Sequence, residues 1–174
     1  MAGSLIKIQE TTVSSAVASV TLTGIDSTYN VYKVKGFGIK NTTDFEDLRG
    51  RVTTSGTPDS DSEYDHAFKL FKASGSFATE GNTNQDYWRL MDGLGNATNE
   101  QGEFVMYLFN FNNSSEFSFF TFESSYIHGT SGVLMGYAGG GVHTVAETND
   151  GISFHLENSD NFSAGTFSLY GLKK

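Results

Sequence analysis

Apolar and polar residues alternate with a period of two through most of this chain, most clearly toward its C-terminal end. Thr166, Ser168 and Tyr170 alternate there with Phe167, Leu169 and, across Gly171, Leu172. Ahead of them Ile152, Phe154 and Leu156 alternate with Ser153, His155 and Glu157. Successive side chains of a strand point to opposite faces, so each run predicts a strand with one buried face. Asn158-Ser-Asp-Asn161 and Gly165 supply turn chemistry between them, and the two runs are expected to be adjacent strands joined by a polar loop.

The same reading carries through the rest of the chain. Leu5 to Ile8 and Ala16 to Gly24 are short strands, the second with Ala18, Val20 and Leu22 on one face. Tyr29 to Ile39 carries Tyr32 and Val34 on one face and Tyr29, Val31, Phe37 and Ile39 on the other, which suits a central strand. Asn41 to Asp44 either caps a helical turn over Phe45 to Leu48 or precedes a strand from Leu48 to Thr54 interrupted by Gly50. A loop over 55–62 holds the only proline, and Tyr64 to Phe71 is a strand with Tyr64, His66, Phe68 and Leu70 together. The stretch 73–86 is polar apart from Phe77, and 93–101 reads as a surface loop. The strongest hairpin signal joins Glu103–Phe111 to Glu116–Phe122 through Asn112-Asn-Ser-Ser115. Both of its faces are rich in aromatics, so a second layer or a second subunit must cover the outer one. Ala138-Gly-Gly-Gly141 is expected to break the next strand into Val133–Met135 and Val142–Ala146.

The pattern amounts to roughly nine or ten short strands separated by turns, the signature of a single-domain antiparallel β-sandwich with a jelly roll favoured. Residues 1–15 form an N-terminal arm or edge strand and 16–174 the sandwich domain. Composition agrees: 20 Gly, 15 Phe and 8 Tyr against one Pro favour strands and turns over helices. A net charge of −9 argues against nucleic acid as a partner, since affinity for it rests on Lys and Arg. With no cysteine, disulfides and thiolate chemistry are excluded. Neither a signal peptide nor a membrane-spanning run is visible, so synthesis in the cytosol and no membrane partner are expected.

Candidate chemistry is thin. Asp59-Ser-Asp-Ser-Glu63 gathers three carboxylates but lacks the glycine and downstream glutamate of a calcium loop, and a solvated acidic loop is favoured. His66, His128, His143 and His155 lie far apart without zinc-ligand spacing. The glycine run is not a phosphate loop, no serine sits in a nucleophile elbow, and no carboxylate pair is placed across a cleft. The expectation is therefore a protein without catalytic residues, metal or other cofactor. Tyr87, Trp88 and Tyr126, near Asn-rich loops, are the candidate contacts for a glycan or partner, although core burial is the commoner fate of such residues.

Asn161-Phe-Ser-Ala-Gly-Thr-Phe-Ser-Leu-Tyr-Gly-Leu-Lys173, with Asp150-Gly-Ile-Ser-Phe154 before it, resembles the C-terminal signature of small β-rich structural proteins of tailed bacteriophages of marine and cyanobacterial hosts. Thr12 to Asp26, Tyr29 to Tyr32, Tyr107 to Asn110 and Ser114 to Phe120 are similar to the same group, whereas 59–99 is not. The resemblance implies a virion component, jelly-roll-like and trimeric, without active-site residues. A capsid decoration or cement protein is the first expectation, with the major capsid protein or other virion proteins as partners. The alternative is the receptor-binding head of a tail fibre, recognising a host-surface glycan.

Overall fold

The computed structural model describes residues 4–173. Among them the chain forms thirteen strands and one 3-10 turn. In order these are β1 (Leu5–Val13), β2 (Ser19–Thr23), β3 (Val31–Asn41), β4 (Glu46–Thr54), β5 (Thr57–Pro58), β6 (Tyr64–Lys72) and β7 (Phe77–Gln85). There follow β8 (Trp88–Leu94), β9 (Gly102–Phe109), β10 (Ser118–Ile127), β11 (Leu134–His143), β12 (Gly151–Leu156) and β13 (Phe162–Leu172). Two antiparallel sheets pack face to face as a β-sandwich. The larger has eight strands in the order β1-β13-β3-β9-β10-β11-β6-β7, and the smaller runs β2-β12-β4, with β5 and β8 also paired to β4.

The closing pair is not a pair of neighbours. β12 bonds to β2 and β4 in the small sheet, while β13 bonds to β1 and β3 in the large one. The 3-10 turn at Glu157–Ser159, with Asn158 and Ser159 at φ 50 and 59, carries the chain across the sandwich. Ile152, Phe154, Leu156, Phe167 and Leu169 are buried as their alternation implies, but they meet through the core rather than along a ladder, and Leu172 leaves the buried face because Gly171 takes the inward position. Phe154 stacks on Phe167 with ring centroids 5.3 Å apart, and Phe104 lies 5.2 Å from Phe154. At the other end Trp88 packs against Phe120 at 4.5 Å and edge-on to Tyr64 at 5.0 Å. Aromatic pairs at such separations add to the area they bury.

Several local expectations are corrected. β3 is central as expected, but Gly38 at φ +62 forms a bulge between Gly36 and Ile39. The extra residue resets the alternation, so Ile39 joins Tyr32 and Val34 inside while Phe37 stands 62% exposed. Phe45, at φ +65, is not helical, and β4 begins at Glu46 and runs through Gly50. Ser55 and Gly56, both at positive φ, form the tight two-residue turn of a β4–β5 hairpin within the expected loop. The polar stretch 73–86 contains β7, an edge strand whose residues face solvent on most sides. The stretch 93–101 is loop only beyond Leu94, which is buried at the end of β8.

The glycine run does not break a strand. β11 continues through it, paired on one side to β10 and on the other to β6. Residues 5–13 of the expected arm or edge strand form β1, paired to β13 of the same chain, and residues 1–3 lie outside the described residues.

Candidate functional site

The inner face of the large sheet fills the core; among the described residues its outer face is open. Register places Val31 opposite Phe109, Phe109 opposite Phe119, and Phe119 opposite Val142. This apolar row crosses β3, β9, β10 and β11. One step beyond the Gly171–Tyr32 pair, Leu172 extends it on β13, and Leu5 opposite Leu172 extends it on β1. Phe119 is 44% exposed and Leu5 48%, and Phe117, two residues along on the same face, is 43% exposed. The next row holds Tyr170, Lys33 and Tyr107, with the Lys33 ammonium 5.2 Å from the Tyr107 ring centre. The row after that carries Glu10, Lys35, Glu123 and Lys69. A contiguous apolar stripe with a charged border is the composition of a docking surface rather than of an ordinary solvated sheet face.

The three aromatics singled out in the sequence fall in different places. Trp88 is fully buried, its indole N–H donating to the Val142 carbonyl at 3.2 Å. Tyr126 is also buried, its hydroxyl accepting from the Asp92 N–H at 3.1 Å. Neither can stack on a sugar, because the inter-sheet space consumes both rings. Tyr87 alone reaches the surface, and the Arg49 guanidinium covers its ring at 3.9 Å.

Beyond Arg49 the outer face of the small sheet forms a shallow depression lined by Arg49, Arg51, His155 and Asn158. Arg49 pairs with Glu157, and Arg51 with Asp86. Burial, then the charges of Arg51 and Arg49, push the His155 imidazole down to about 4. The folded state thus binds this proton less readily than the unfolded chain, whose histidine titrates near 6.5. Its stabilising contribution is complete above that value and is lost as pH falls to about 4. His155→Gln is expected to remove this arm. Between pH 7 and pH 4 the parent should lose about 2 kcal/mol more than the variant, after allowance for partial exposure. Urea unfolding at the two pH values checks it, and parallel losses would contradict it.

A second polar group lies between the sheets. Arg89 Nε sits 2.9 Å from Asp47 Oδ2 and its Nη1 3.2 Å from Glu80 Oε1, and the Tyr137 hydroxyl donates to Glu80. Burial pushes the Asp47 carboxyl up to about 6 despite Arg89 and the Gly93 N–H. Burial acts the same way on Glu80, but the neighbouring His66 ring, the Tyr137 hydroxyl and the Arg89 charge outweigh it and hold that carboxyl low. Opposite charges face one another across it, and the cluster ties β7, β8 and β4 together.

The third group unites residues that the sequence kept apart. His143, at the end of β11, is fully buried; its Nε2 lies 3.0 Å from Asp59 Oδ2 and 3.4 Å from Glu63 Oε2. Asp59 and Glu63 are only half-exposed, so the acidic loop is not simply solvated and this histidine is not isolated. Their separation of 84 residues left no local spacing to read. No known family model matches the chain, and no curated protein matches it.

Proposed function

We propose that this chain is a structural protein of a phage particle, a capsid decoration or cement protein that binds by shape and apolar burial rather than by chemistry. The observation that carries the reading is the six-strand apolar row on the outer face of the large sheet. Monomeric domains rarely leave such a stripe uncovered, and a capsid surface made of repeated subunits offers a fixed partner for it. The sequence resemblance to small phage structural proteins supports the same reading. Copies are proposed to assemble as trimers and to contact the major capsid protein through this face, with the charged rows setting orientation.

Phe119→Asp places a charge in the middle of the row. Phe119 packs against no core residue from that face, so folding stability is expected to change by less than about 1 kcal/mol. Affinity for capsids stripped of the protein should fall tenfold or more, about 1.4 kcal/mol. Co-sedimentation of parent and variant with such capsids measures this. A parent chain that remains monomeric in light scattering and ignores capsids would overturn the proposal. The glycan-binding reading has lost Trp88 and Tyr126 to the core; hits on a glycan array that vanish with Tyr87→Ala would restore it.

A further inference from the structure

We infer that Asp59, Glu63 and His143 form a binding site for a divalent first-row transition metal ion of the zinc or manganese type, which fastens the loop after β5 to the end of β11. One donor atom from each residue lies within 4.8 Å of the other two. For a tetrahedral ion held at about 2.0–2.2 Å, donor atoms are about 3.3–3.6 Å apart. The His143–Asp59 and His143–Glu63 distances of 3.0 and 3.4 Å already bracket the short end of that range. One imidazole with two carboxylates suits zinc or manganese better than calcium, which takes six to eight oxygens.

The hydrogen-bond accounting of neutral His143 is consistent with a cation at this point. Its Nδ1 is fully buried and has no hydrogen-bond partner. The nearest charged oxygen is Glu147 Oε1, at 3.9 Å. If neutral His143 carries its proton on Nε2, one N–H faces two carboxylates, and the Nδ1 lone pair is aimed toward a third. If the proton is on Nδ1, it points at Glu147, but then the Nε2 lone pair faces Asp59 and Glu63. Three acceptors then converge on one point. A metal ion there satisfies all three, and Nδ1–H then faces Glu147, 3.9 Å away, on the side where metal-bound histidines usually meet an outer carboxylate.

The backbone holds the ligands in place without help from the metal. Asp59 N–H donates to the Val52 carbonyl at 3.0 Å, and the Tyr64 hydroxyl donates to the Asp59 carbonyl at 2.9 Å. Thr144 donates to the Glu63 carbonyl from both N–H and Oγ1, at 2.8 and 3.0 Å. Little ordering remains to be done on binding, and three protein ligands leave a position for water or for a group from a neighbouring molecule.

The test uses the full chain after treatment with EDTA. Titration with Zn2+ or Mn2+ is expected to show saturable uptake of one equivalent and a rise in Tm, with Ca2+ and Mg2+ binding at least tenfold more weakly. Co2+ in place of Zn2+ should give a visible absorption band that Zn2+ displaces. Asp59→Asn keeps the shape of the side chain and should lower affinity tenfold or more, as should His143→Gln if it folds. Asp61→Asn, in the same loop but outside the cluster, should leave it within about twofold. No saturable uptake of either metal, no cobalt band, or uptake that survives Asp59→Asn would each overturn the site. An imidazolium satisfied by its carboxylates alone produces the first of these results.

Discussion

Gly139→Val is expected to yield no folded protein. A Cβ at this position would lie 2.2 Å from the Ala67 carbonyl oxygen and 2.9 Å from the Phe68 Cα, both backbone atoms of the neighbouring strand β6. No rotamer change relieves a clash with backbone, so β11 and β6 would have to separate and abandon their ladder. The neighbours offer no relief, because a Cβ at Gly140 meets the Phe120 carbonyl at 2.4 Å and one at Gly141 meets the Phe120 ring at 2.5 Å. The loss should be about 4 kcal/mol or more, comparable to the whole stability of many domains. Gly38→Asn is the contrast. Its site is open, with nothing within 4 Å, and asparagine tolerates the φ of +62 found there. That variant should stay within about 1 kcal/mol of the parent. Soluble yield and urea unfolding of the two variants check the pair, and a cooperative transition for Gly139→Val near the parent midpoint would refute the argument.

Arg89→Met is expected to destabilise the chain by about 3–5 kcal/mol at neutral pH, the usual cost of removing one member of a buried ion pair. The guanidinium lies between Asp47 and Glu80. Without it Asp47 is left with the Gly93 N–H and the Arg49 guanidinium 4.0 Å away, and Glu80 with the Tyr137 hydroxyl, so both carboxylates lose their nearest cation. The pH dependence separates this from lost packing. Asp47 already titrates near 6 in the folded state against an ordinary 3.8. A carboxyl raised in this way is destabilising when ionised, so its penalty is complete above the folded value and relieved as pH falls toward the unfolded one. Removing Arg89 raises it further. The deficit of Arg89→Met should therefore shrink between pH 7 and pH 5, read from urea midpoints of parent and variant. A deficit equal at both values would mean that the arginine acts through packing alone.

Much of the fold was legible because alternation is enforced wherever one face is buried. In β6 the residues Tyr64, His66, Phe68 and Leu70 all face inward, as their spacing implied, and the β9–β10 hairpin formed where its turn residues placed it. Parity failed where a residue at positive φ reset it, as Gly38 did for Ile39; Asn110, also at positive φ, likewise precedes a buried Phe111 at the end of β9. Periodicity also cannot choose between neighbours in a sheet and partners across a core, which is why β12 and β13 read as adjacent. The glycines of β11 looked like a break because their function lies in the strands beside them. The candidate sites were less legible still. Each residue of the apolar row was visible singly, but the row exists only through the register of six strands. Trp88 and Tyr126 sit beside polar loops in sequence, yet their rings turn inward and no property of those loops records it.

The pairing of β13 between β1 and β3 has a consequence for how the protein is made. Leu5 meets Leu172, so β1 has no sheet partner until β13 has been synthesised, and β3 meanwhile presents a bare edge on the side that β13 will occupy. A strand made late must insert between two made early, which puts long-range closure at the centre of the folding reaction and makes it slow. During that interval the β13-facing edges of β1 and β3 are both unpaired, and unpaired strand edges are sites of misassembly.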